Sequence, residues 1–316
     1  MGKRTIDWSR YGILFAWIIL IIVFFIAEPT FLSGKNIFNI LRQVAIVGVC
    51  SVGMTFIILT GGMDLSVGSV IGVSAVSGAL LLSGGFPPII AVCVSLLIGV
   101  LSGLINGVFI NTFKIAPIIM TLGMMTALRG VAYIICGGRP VYGIPKGFLA
   151  LGQGYIGIVP VPVIIMIIIF AGGYFILNKT SFGRTIYGIG GNVEASRLSG
   201  VNVQKNIYII YMMAGALYSL AGLILLARVN SGQPKAGDGY EMDVITACIL
   251  GGISVSGGEG RIVGVIIGVL MMGTLNNGMI LMNIPEFWQW VVKGWVLILA
   301  VTIDQLAKRS RSGVKN

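Results

Sequence analysis

The chain has 316 residues, of which 56% are hydrophobic and 10% charged, with a mean hydropathy of +0.99 and a formal net charge of +11. Soluble domains carry about 25% charged residues, so this composition excludes a water-soluble globular protein and makes lipid the solvent for most of the chain. No basic stripe is interleaved with aromatic residues, which excludes a nucleic-acid partner and leaves the basic residues as orientation signals at a membrane.

In chain order, apolar runs of about 20 residues predict spans near 11–27, 43–60, 67–83, 88–110, 115–136, 161–177, 206–227, 262–282 and 288–306. The first follows Lys3, Arg4 and Arg10, as a signal peptide would. It reads on into "EPTFLSGKNIFNILRQ" without a small-residue cleavage site and is taken as an uncleaved span. A tenth, near 241–256 ("EMDVITACILGGISVS"), is short and polar, and is expected to be a span buried in protein or a broken, re-entrant helix. The expected fold is an all-α polytopic membrane protein of about ten transmembrane helices, forming one domain over 1–316. The 47 glycines fit close helix approach in lipid.

Placing the amino terminus inside puts Lys3, Arg4, Arg10, Lys114, Lys179, Arg184, Arg197, Lys205, Arg261, Lys308, Arg309, Arg311 and Lys315 in the cytoplasm. Lys35, Arg42, Arg139, Lys146, Arg228 and Lys235 fall outside. The excess predicts both termini in the cytoplasm. Two polar segments then stand out: an external loop at 137–160, and a cytoplasmic loop at 178–205, "NKTSFGRTIYGIGGNVEASRLSGVNVQK".

Within the cytoplasmic loop, Asn192 is placed to cap a helix over 193–199. Glu194 in its first turn and Arg197 near its last match the helix dipole, and Gly200 is the expected left-handed stop. A helix of about two turns is marginal alone and needs something to pack on. Its partner is either this protein's own inner face or a cytoplasmic protein.

"TGGMDLSVGS" at 60–69 places Asp64 between two apolar runs, as a helix cap or as a carboxylate facing a cavity. Its skeleton is echoed by "GGISVSGG" at 251–258. "QPKAGDGYEMD" at 233–243 reads as a hydrated external rim in which Glu241 and Asp243 precede the short tenth span. Asn106, Arg129, Asn276, Asn277, Gln289 and Lys293 lie in or near span ends, where they bond between helices or line a path for a hydroxyl-rich solute. Cys50, Cys93, Cys136 and Cys248 lack CxxC spacing and read as buried, inert thiols.

Catalytic and cofactor patterns are missing. With no histidine, no Ser/His/Asp set and no HExxH can be built, and no GxxxxGK[ST] occurs. No metal and no cofactor is expected, and any ATP consumed has to be bound by another chain.

Over nearly its whole length the sequence resembles the permease subunits of simple-sugar ABC importers, the ribose/galactose/xylose-type branch of the branched-chain permease superfamily. The resemblance rests on "PTFLSGKNIFNILRQ" (29–43), "TGGMDLSVGS" (60–69), the stretch 178–203, "GYEMDVITACILGGISVSGGEGRIVG" (239–264) and "LNNGMI" (275–280). It implies a multi-pass protein of the bacterial inner membrane that moves a pentose or hexose inward. The implied partners are a cytoplasmic ATP-binding subunit, an extracytoplasmic sugar-binding protein, and a second permease copy or a paralogue, in membrane lipid. It further implies that Gly191, Asn192, Glu194, Ala195, Ser196, Arg197 and Gly200 couple the chain to the ATPase. Asp64 and Ser66 would lie along or beside the path, with Asn106, Asn276 and Asn277 as further path candidates and Glu241 and Asp243 as rim candidates. The alternatives are another small polar solute on the same scaffold, such as a furanose-like signal molecule or a nucleoside, and an ion-coupled secondary transporter. The acids' position at span ends counts against the latter.

Overall fold

In the computed structural model of this protein the backbone is described for residues 8–313 and side chains for 13–306. Lys3, Arg4 and Lys315 of the orientation count lie outside the described residues, as do the side chains of Arg10, Lys308, Arg309 and Arg311. The helices are α1 (Trp8–Ala27), α2 (Gly34–Leu59), α3 (Val67–Ser83), α4 (Pro88–Thr112), α5 (Pro117–Ile135), α6 (Lys146–Gln153), α7 (Val161–Lys179), α8 (Ser181–Gly191), α9 (Val193–Leu198), α10 (Val203–Val229), α11 (Tyr240–Leu250), α12 (Ile262–Leu281) and α13 (Glu286–Gly313). Among the described residues seven are long and apolar enough to cross a membrane, namely α2, α4, α5, α7, α10, α12 and α13. α3 is apolar and shorter, at 17 residues, and the described side chains of α1, 13–27, are likewise apolar. The fold is all-α and polytopic, as expected.

The predicted spans match these helices, with two shifts. Apolar periodicity places the start of α2 at 43, whereas the helix begins at Gly34, where Ser33 accepts a hydrogen bond from the Asn36 N–H. Arg42 therefore lies inside α2, its guanidinium carbon 4.6 Å from the Tyr155 ring centroid, and not in a loop. The tenth span is broken. α11 has eleven residues, and the chain from Gly251 to Arg261 then runs on without regular structure.

α10 is the axis, packed on α4, α2 and α3. Small residues let the backbones meet: a Cβ on Gly99 or Gly103 of α4 would strike the carbonyl groups of Gly215 or Tyr211 on α10. Ser74 of α3 and Ser219 of α10 share a hydrogen bond of 2.6 Å across the same contact. Trp17 donates to Thr274 (3.0 Å), fastening α1 to α12.

The connections segregate to two ends. At the first, Val141 pairs with Gly232 and Gln153 donates to the Ala227 carbonyl (3.0 Å). At the second, Tyr187 donates to the Gly260 carbonyl (3.0 Å), and Thr112 bonds Tyr208 (2.6 Å).

The two polar segments contain more regular structure than the one helix expected at 193–199. Residues 137–160 contain α6, which buries Phe148, and the antiparallel hairpin β1 (Tyr155–Ile156) and β2 (Val159–Pro160). Residues 178–205 contain α8, which buries Ile186 and Ile189; its four glycines hide it from propensity. Cys50 and Cys248 are buried as expected, but Cys93 is exposed on an outward face of α4 and Cys136, just past the end of α5, is half-buried.

Candidate functional site

α9 is the short helix anticipated around 193–199, one residue shorter at its end. Asn192 accepts from the Ala195 N–H at 2.9 Å, satisfying a free donor of the first turn. At the other end the Val201 N–H bonds the Ser196 carbonyl (3.1 Å) and the Gly200 N–H bonds that of Arg197 (3.0 Å), with Gly200 at φ +83°. These bonds form a Schellman stop, which only a residue tolerant of positive φ closes without strain. Glu194 and Arg197 form an exposed ion pair of 3.5 Å, and Ser196 is buried. Leu198, which sequence reading passed over, is 88% exposed at the helix tip. The apolar patterning of a six-residue helix is too short to reveal an outward leucine.

Below α9, three glycine-rich segments meet backbone to backbone. The Gly258 N–H donates to the Leu59 carbonyl (2.8 Å), joining the two echoed segments. Gly190, at the end of α8, lies so close that a Cβ there would overlap the Leu59 oxygen and the Gly258 nitrogen. Its neighbour Gly191, chosen from sequence, has nothing within 4 Å of the equivalent position. Half-burial raises the Tyr187 phenol's pKa, opposed in part by the Arg261 charge, so it stays a donor to Gly260. A cavity of about 130 Å³ adjoins this junction, lined by Gly61, Asn111, Ile189, Val193 and Tyr211 among others. Gly190→Ala is expected to destabilise the junction by about 1–3 kcal/mol, as overpacking does, while Gly191→Ala is neutral. Paired thermal unfolding in detergent checks the difference.

The polar span residues form compact internal clusters. Asp64 accepts from the backbone N–H (2.8 Å) and hydroxyl of Ser66, and the Asn106 amide donates to that hydroxyl (3.2 Å). Asp64 thus makes a turn before α3 and is not its cap; Ser66 holds the cap position. Asn276 (2.9 Å) and Lys293 (3.0 Å) both donate to one oxygen of Asp243, tying α11 to α12 and α13. Asn277 and Asn36 exchange hydrogen bonds of 2.8 and 3.0 Å. All of these except Lys293 are buried.

Asp243 is therefore not on an external rim. The loop before α11 turns inward along α3, where Gly68 and Gly72 leave room for its backbone, so α11 starts inside the bundle. Asp64, in the turn before α3, and Asp243, in the first turn of α11, therefore lie at helix ends and yet are buried in protein. Both carboxylates are already engaged by donors from this chain.

Glu241 remains half-buried, its carboxylate against Gly68. Arg129 reaches from α5 to donate to the carbonyls of Pro234 (2.7 Å) and Ala236 (2.9 Å), past Gly72. Among the described residues no cluster of three His, Cys, Asp or Glu is arranged to hold a metal ion.

The sequence profile described as "Branched-chain amino acid transport system / permease component" matches residues 36–301. The chain is 46% identical to the ribose import permease protein RbsC of Bacillus subtilis (strain 168), over 94% of this chain and 93% of that protein. It is 42% identical to the ribose import permease protein RbsC of Escherichia coli (strain K12), over 96% and 99%. It is 33% identical to the xylose transport system permease protein XylH of Haemophilus influenzae, over 97% and 98%. No solved structure matches.

Proposed function

The chain belongs to the family of branched-chain amino acid transport system permease components, and we propose that it is the membrane-spanning subunit of an ATP-driven importer carrying a pentose into the cytoplasm. The observation that carries this reading is the end-to-end similarity to ribose import permeases. In this reading the second end of the bundle and both termini face the cytoplasm. α9 is the knob gripped by a separate ATPase subunit, through Asn192, Ala195 and Ser196 as its frame and Glu194, Arg197 and Leu198 as its contact surface. Gly191 and Gly200 give the knob its hinge and its stop. A sugar-binding protein delivers the solute at the first end.

The path is shared with a second copy, or a paralogue, in lipid. Support comes from the exposed face of α5, where Gly123, Thr126 and Gly130 leave an open, small-residue surface beside a groove of about 260 Å³. Asp64, Ser66, Asn106, Asn276 and Asn277 hold the walls together in this scheme. ATP-driven closure of the ATPase moves α9, and the contact of Gly190 with Leu59 and Gly258 passes that movement to the interrupted spans.

Proteoliposomes carrying this chain with its ATPase and binding protein test the reading. ATP-dependent uptake of labelled ribose is expected. Uptake that ignores ATP and collapses with a protonophore overturns it in favour of ion coupling. ATP-driven uptake of a nucleoside, but of no monosaccharide, transfers it to another solute.

A further inference from the structure

Arg129 and Glu241 present a half-buried polar pair beside α3 whose hydrogen-bonding capacity the packing uses only in part. Arg129 lies twelve residues into α5, about 18 Å from its start at 1.5 Å per residue, and so within the apolar layer. Glu241 lies in the first turn of α11, which begins inside the bundle. Both side chains sit on one face of α3. A Cβ on Gly68 would lie 2.6 Å from a Glu241 carboxylate oxygen, and one on Gly72 would lie 2.9 Å from an Arg129 nitrogen. Gly68 and Gly72 are four residues apart, so the carboxylate and guanidinium are about one helical turn, ~6 Å, from each other. They form no ion pair at 4.0 Å or less.

The hydrogen bonds of Arg129 all come from one terminal nitrogen and go to loop carbonyls. Its remaining donors are left for something else, and the Glu241 carboxylate, held only by backbone N–H groups of its own turn at Gly239 and Glu241, keeps lone pairs for a further donor. Neither residue is buried, and the adjoining Met242 is 45% exposed. Ionisable groups at this depth do not face hydrocarbon, where they are too costly; they face protein or a water-filled cavity.

We infer that Arg129 and Glu241 line a water-filled path and form a weak contact site for a monosaccharide, which rests on the import reading above. The carboxylate accepts from two neighbouring sugar hydroxyls, and the guanidinium donates to a hydroxyl or ring oxygen across the gap. Exposure keeps the site weak, as a transient station requires. The two glycines of α3 are what make room for it. On this assignment Glu241 moves from an outer rim to the path itself.

The test uses the assembled importer in proteoliposomes with ribose as probe. Met242→Cys, in a Cys93→Ala, Cys136→Ser background, is expected to react with a charged, membrane-impermeant thiosulfonate, and to react more slowly while ribose is being delivered. Glu241→Gln is expected to import ribose about tenfold more slowly or worse, the loss expected for hydrogen bonds to a charged group, while the complex still assembles with its ATPase. A Met242→Cys thiol inert to the charged reagent overturns the inference, and so does parental import by Glu241→Gln. Failure of the unmodified complex to import any sugar instead overturns the import reading. The thiol result reads water access to this face independently of any substrate.

Discussion

Lys293→Met is expected to destabilise the folded chain by about 3–5 kcal/mol, the cost of leaving a buried charge without its partner. Asp243 is 2% exposed, and its side chain is too short to reach water from inside the bundle. Without Lys293 it keeps only the Asn276 amide as a side-chain donor, and its second oxygen already has no hydrogen-bond partner. The reverse change, Asp243→Asn, is expected to cost clearly less. The Lys293 side chain is 21% exposed and ends a flexible stem that can carry its ammonium toward the membrane surface. The double variant Asp243→Asn, Lys293→Met removes both charges and is expected to regain most of the loss, because a buried pair replaced by neutral groups is often close to neutral in stability. Thermal unfolding of the four proteins in one detergent checks this order. Equal losses for the two single variants, with no recovery in the double, would show that the pair does not hold the broken helix α11 to α12 and α13.

Leu198→Asp is expected to weaken association with the ATPase subunit by about 2–4 kcal/mol, roughly 30-fold or more in Kd, the range of an interface anchor. Leu198 ends a six-residue helix at the end of the bundle assigned to the cytoplasm, where lipid does not account for its 88% exposure. Val193, at the start of the same helix, is 42% exposed. The Glu194–Arg197 pair is also exposed, at 72% and 56%, and contributes less than about 1 kcal/mol to the helix itself. Glu194→Ala, Arg197→Ala therefore leaves α9 folded and tests recognition alone. It is expected to lower ATP-coupled import by less than Leu198→Asp does. Co-purification of the ATPase with each variant is the direct measurement. Retention of the ATPase by Leu198→Asp at parental levels moves the docking surface away from α9.

Much of the fold was readable before any coordinate. Nine apolar runs became helices because length and hydropathy are enough to mark a segment for lipid. Asn192, Glu194, Arg197 and Gly200 marked α9 because a helix end is satisfied by its own neighbours, at fixed spacing. α8 was missed, since Gly183, Gly188, Gly190 and Gly191 lower its propensity and its stability comes from burying Ile186 and Ile189. Of the adjacent pair Gly190 and Gly191, only Gly190 is packed against another backbone. Two adjacent glycines look alike in a sequence, and only the position of Leu59 and Gly258 separates them.

By itself the sequence determined the class of solvent, the helices, the local caps and the family resemblance, all of which depend on composition or on residues a few positions apart. Tertiary structure alone decided that Asp243 is buried and Glu241 half-buried against α3, that the two echoed glycine segments meet under α8, and that Lys293 answers Asp243 from fifty residues away. Those outcomes depend on how closely backbones approach and on which charges are thereby removed from water, and neither quantity is encoded at any fixed spacing along the chain.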